Sequence, residues 1–141
     1  MRHAIATLFL LSAPVQAQEP VLVPYEGSFE DAEFAVESAI LGRGLVIDFV
    51  SHVGDMLNRT GKDVGSDAKI FDEASIFLFC SAVISREVME ADPANIQHCP
   101  YGIFVTETDG AVAIGHKTYP EGPMQRVETL LRDIAEEASA F

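Results

Sequence analysis

The sequence predicts an α+β two-layer sandwich, a small mixed or antiparallel sheet with helices packed on one face. Three observations carry this. Apolar residues recur at helical spacings of three and four in some stretches, and run together as β-branched and aromatic strands in others. An Asp109-Gly110 pair sits between two stretches of alternating apolar residues, a strong hairpin signal. The order of strands and helices is irregular, where a doubly wound parallel sheet would need strict alternation.

Along the chain, residues 21–26 read as a short strand, and Pro24 marks it as an edge or irregular one. Ser28 opens a helix; Asp31, three residues on, completes a capping-box spacing with Asp in place of Glu. Phe29, Ala32, Val36, Ala39 and Ile40 form its apolar stripe, and Gly42-Arg43-Gly44 ends it. Residues 45–52 (LVIDFVSH) read as a strand and 53–60 as a short helix. Residues 74–80 (ASIFLFC) form a compact apolar strand, with Ser81 as the cap of a helix over 83–91. A turn follows at Asp92-Pro93-Ala94-Asn95. Residues 101–107 and 111–117 are the hairpin strands, and a last helix starts at Gly122-Pro123, with Val127, Leu130, Leu131 and Ile134 inward. Met56, Met89 and Met124, like Phe71, Phe77 and Phe79, read as packing residues, and Asp48 as a solvent-facing strand residue.

Residues 1–17 have the pattern of a cleaved secretory signal. Arg2 is the basic start, 4–13 (AIATLFLLSA) the apolar run, and Ala17 the residue before the cut. The apolar run is shorter than the roughly 20 residues a membrane span needs. The expectation is a periplasmic or secreted protein, with one domain over 18–141. The chain carries 9 Lys and Arg against 22 Asp and Glu, a net charge of −13. Such a surface repels phosphate backbones and anionic lipid, so neither nucleic acid nor a membrane surface is expected as a partner. A cationic partner or a metal is electrostatically permitted, and the partners expected are a small-molecule ligand, a periplasmic protein or a second copy of the chain.

Two cysteines, Cys80 and Cys99, suggest a disulfide in an exported protein. The loop between them is about 20 residues, worth roughly 3 kcal/mol on the chain-entropy account. Spacing alone leaves them bridged, free or acting as ligands. If Asp109-Gly110 is a two-residue loop, Thr108 faces Ala111, Val105 faces Ile114 and Ile103 faces His116. Tyr101, Ile103, Val105, Val112 and Ile114 then share the core face, and Cys99 and His116 fall on that side at one end. Gly102, Ala111, Ala113, Gly115 and Lys117 take the other face. His98 points away from Cys99 if the strand reaches that far. Cys80, Cys99, Tyr101 and His116 are therefore the candidate ligand- or cofactor-binding residues. Cys80 also precedes a helix N-terminus, where amides and the dipole lower a thiol pKa. The sequence has no Cys-x-x-Cys, Gly-rich phosphate loop, His-Glu-x-x-His or Gly-x-Ser-x-Gly, so no catalytic residue, metal or cofactor is named by a motif.

The set Phe79-Cys80-Ser81-Ala82, Ser85, Met89, Ala91-Asp92-Pro93, Asn95-Ile96 and Cys99-Pro100-Tyr101 resembles the family called domain of unknown function 302, over nearly all of 18–141. The resemblance implies a small α+β domain and points to an exported proteobacterial subgroup. Many members carry Asn-Pro after the first Cys and Pro before the second. Here Ser81-Ala82 follows Cys80, and Pro100 follows Cys99. Three functions remain in order: a non-enzymatic accessory domain that binds a ligand, cofactor or partner near Cys80, Cys99 and His116; a disulfide-stabilised interaction domain, dimeric through a sheet edge or the last helix; and a thiol-redox or metal-dependent activity.

Overall fold

The structure, a computed structural model, describes residues 19–141, so the signal-peptide reading of 1–17 lies outside the described residues. The hairpin sets the sheet. Asp109 and Gly110 have φ of 52° and 77°, the left-handed conformations that a tight two-residue turn needs. They join β4 (Tyr101–Thr108) to β5 (Ala111–His116), with Thr108 opposite Ala111, Val105 opposite Ile114 and Ile103 opposite His116. That is the register the alternation predicts. β3 (Glu73–Cys80) pairs with the far side of β4, β2 (Val46–Ser51) with β3, and β1 (Val21–Tyr25) with β5. The sheet is antiparallel throughout, in the order β1-β5-β4-β3-β2.

The helices α1 (Phe29–Gly42) and α4 (Gln125–Ser139) lie side by side on one face. Ser28 caps α1 by accepting a hydrogen bond from the Asp31 amide at 3.1 Å. All five stripe residues of α1 are buried against Phe77, Phe79, Ile103, Val105, Ile114, Leu131 and Ile134. The guanidinium of Arg43, just past α1, reaches the Asp133 carbonyl at 3.0 Å and the Glu137 carboxylate at 2.6 Å, tying the end of α1 to α4. α3 (Ala82–Ala91) is capped by Ser81 and buries Val88; α2 (Val53–Thr60) crosses one end of β3.

Three details differ from the sequence reading. Asp48 sits in a bulge of β2 that shifts the pairing between Ile47 and Phe49, so the strand's alternation breaks there. The turn after Asp92 continues as a 3₁₀ helix over Pro93–His98, because Asp92 accepts from the Ala94 amide and Pro93 is preset for a helical start. His98 therefore belongs to that helix, and strand alternation does not decide its direction. Finally, α4 begins at Gln125; Gly122 and Pro123 form the turn that leads into it.

Close packing gives a paired test. A Cβ on Gly54 would lie 2.5 Å from the Ala74 backbone nitrogen, so α2 has to shift away from β3. Gly54→Ala is expected to destabilise by about 1–3 kcal/mol. Gly42→Ala meets nothing within 4 Å and is expected to be neutral or stabilising by up to about 1 kcal/mol. Urea unfolding of both variants checks the difference.

Candidate functional site

Cys80, at the end of β3, and Cys99, just before β4, are joined in a disulfide with their Cα atoms 6.7 Å apart. No free cysteine remains among the described residues. Beside the disulfide an aromatic group closes the end of the core. Tyr101 is fully buried and its hydroxyl lies 3.0 Å from that of Ser85 on α3. Tyr119 meets the Tyr101 ring edge-on at 6.4 Å and the His98 ring at 5.6 Å, while the Lys117 ammonium stands 5.0 Å from its centre. Burial lowers the His98 pKa, and the charge on Lys117 lowers it further.

His116 is 1% exposed, on the core side of β5. Its Nδ1 donates to the Lys117 carbonyl at 3.0 Å, which leaves Nε2 as the acceptor; that atom is buried without a partner. The Tyr119 hydroxyl is in the same state. The fold thus brings Cys80 to Cys99 and places Tyr101 and His116 at the same end, but both of these are enclosed by packing. Tyr119 escaped the sequence reading because nothing in the chain between 116 and 124 marks an inward turn; Ser85 was part of the family resemblance, but its bond to Tyr101 depends on how α3 meets β4.

A second polar group lies at the opposite end of β3. His52 Nδ1 is 3.1 Å from the buried Ser75 hydroxyl, and Glu33, Asp55 and Glu73 surround the pair in a cavity of about 70 Å³. Desolvation and then the charges of Glu30, Glu107, Glu33 and Asp55 push the Glu73 carboxyl up. The cavity has room for about two waters and no more. Among the described residues no three His, Cys, Asp or Glu are placed to hold a metal ion.

The sheet face away from α1 and α4 is different in kind. Its paired positions are Leu22 and Pro24 on β1, Ala111, Ala113 and Gly115 on β5, Gly102, Phe104, Thr106 and Thr108 on β4, Ala74, Ile76, Leu78 and Cys80 on β3, and Val46, Phe49 and Ser51 on β2. None is charged. Leu22 is 55% exposed and Phe49 62%. A Cβ on Gly115 would run into the Phe104 ring and Leu22, so the missing side chain is what lets that ring lie over the sheet. A cavity of about 440 Å³ opens on this face over Leu22, Val53, Phe71, Ile76, Phe104 and Thr106. A second, of about 210 Å³, continues over Leu78, Pro100 and Gly102 to Lys117 and shares Ile76 and Phe104 with the first. Strand alternation places Phe104, Ile76 and Leu22 here, so this face is readable from the sequence.

The family model described as domain of unknown function DUF302 matches residues 21–140. Among solved structures, the chain is similar to an uncharacterised conserved DUF302 protein from Bacillus stearothermophilus. The two are 16% identical with a TM-score of 0.62, over 86% of this chain and 93% of that one. At that identity the likeness shows the fold. No curated protein matches the chain.

Two outcomes test the disulfide end. Replacing both Cys80 and Cys99 by Ala is expected to cost about 3 kcal/mol in urea unfolding, from the closed loop of 19 residues' separation. Burial first, then Tyr101 and Glu128, hold the Tyr119 phenol above its ordinary value of 10.0. The proton is therefore bound more tightly in the folded chain. The stability tied to the neutral phenol is complete below pH 10 and falls as pH rises beyond it. Tyr119→Phe, which removes a hydroxyl without a partner, should resist alkaline unfolding better than the parent, followed by circular dichroism.

Proposed function

We propose that this chain, which belongs to the DUF302 family, is an exported, non-catalytic binding domain that takes a small uncharged apolar molecule on the open face of its sheet. The observation that carries this is the 440 Å³ cavity on a face without a charged strand position. Its volume suits a ligand of ordinary size, its walls are apolar, and Thr106 is the open-face side chain there that can hydrogen-bond and fix an orientation. Export is supported by the signal pattern in 1–17 and by the disulfide, which persists in oxidising compartments. In this reading Cys80–Cys99 staples the sheet end, and Tyr101 and His116 are part of its packing.

A second reading keeps the ligand at Cys80, Cys99, Tyr101 and His116. It is favoured by the buried, unpartnered His116 Nε2 and Tyr119 hydroxyl, two groups a polar ligand would satisfy.

Titration with Nile red, a neutral apolar fluorophore, separates the two. Saturable binding is expected, weakened about tenfold or more by Phe104→Ser and unchanged by His116→Ala. Binding lost in His116→Ala and kept in Phe104→Ser would reverse the assignment. For export, the mass of the protein recovered outside the cytoplasm should correspond to a chain beginning at Gln18.

A further inference from the structure

The trough over Leu22, Ile76 and Phe104 has a floor, the sheet, and a wall at Val53 and Phe71; its outer side is open to water. A ligand lying in it keeps one flank wet, whereas small-molecule sites cover most of their ligand's surface. We infer that a second copy of this chain closes the face, so that two troughs meet as one enclosed apolar chamber between the paired sheets. This rests on the reading of the open face as the binding surface.

Four observations name a second copy as the cover. The first is charge. The chain carries a net charge of −13, yet the paired positions of this face hold no carboxylate, and the charged residue at its margin, Lys117 beside the smaller cavity, is a cation. Like copies repel over most of their surface, and this is where they can meet without opposing charges. The second is area. Strands about 4.8 Å apart and about six residues long give a face of roughly 24 Å by 20 Å. Two such faces with their side chains bury about 1,000 Å² or more, where specific interfaces begin.

The third is the state of the edges. Pro24 removes a donor from β1 and the bulge at Asp48 bends β2, so edge-to-edge pairing is blunted at both ends of the sheet. The face has no such protection. The fourth is pattern. β3 reads EASIFLFC, apolar on both sides from Ile76 to Phe79, which is how strands read when both faces are covered. Two sheets stacked about 10 Å apart around a twofold axis satisfy all four, with the helices outside.

Sedimentation of the purified protein, with Nile red titrated into the same samples, tests this. Phe49 is on the open face but not among the trough's lining residues, so Phe49→Glu adds repulsion without altering the pocket. A dimer is expected for the parent and a monomer for Phe49→Glu, with probe affinity down about tenfold as the chamber opens. Circular dichroism should show the parent fold, since Phe49 is exposed; Val46→Glu, exposed at the other end of β2, repeats the test. A monomeric parent that binds the probe overturns the closure and leaves the binding reading standing. A dimer that neither variant disturbs also overturns it. A Phe49-sensitive dimer that takes no probe overturns the binding reading and the chamber with it.

Discussion

Everything in this structure follows from covering one side of a five-stranded sheet and leaving the other bare. The core is built by α1 and α4 against Phe77, Phe79, Ile103, Val105 and Ile114, and all of these side chains are inside. The same strands carry Ile76, Leu78 and Phe104 on the reverse, where helix layers are absent among the described residues. An antiparallel sheet that faces water normally alternates apolar and polar residues. This one does not. Leaving Leu22, Val46 and Phe49 more than half exposed forgoes on the order of 1 kcal/mol each, an arrangement that makes physical sense where something else meets the face.

The remaining features protect that arrangement. The disulfide fixes the end of β3 to the start of β4, next to the aromatic contact of Tyr101, Tyr119 and His98. Gly115 gives the Phe104 ring its place over the sheet. Pro24 and the β2 bulge blunt the two edges, so the exposed backbone of the outer strands is a poor template for further strands. The acidic surface repels like copies, and the paired positions of the open face add no charge to that repulsion.

Much of the fold was legible because local and global signals agree. The Asp109-Gly110 turn fixes the hairpin register, and with it the core face, from local sequence alone. The Ser28 and Ser81 caps placed two helix starts within a residue. What escaped was what single-strand patterns do not encode. The Asp48 bulge depends on the partner strand, and the 3₁₀ helix at Pro93–His98 on side-chain bonds that read in sequence as a plain turn. The inward position of Tyr119 depends on Glu128 and Gln125, which bond its backbone from α4. For the site, Cys80 and Cys99 were legible as a pair, but their pairing needed the distance between β3 and β4. The open face was present in the alternation of Leu22, Ile76 and Phe104 and carried no motif to draw the eye.

Hydroxyl-radical footprinting of the native protein tests the central claim, that the open sheet face is covered in the working molecule. Phe49 and Phe34 have nearly the same exposure in the single chain, 62% and 64%, but Phe34 lies on α1, in the helix layer on the opposite side of the sheet. The account predicts that Phe34 is oxidised as its exposure dictates while Phe49, Phe104 and Leu22 are strongly protected. Equal oxidation of Phe49 and Phe34 would mean the face stands open to water, and would contradict it.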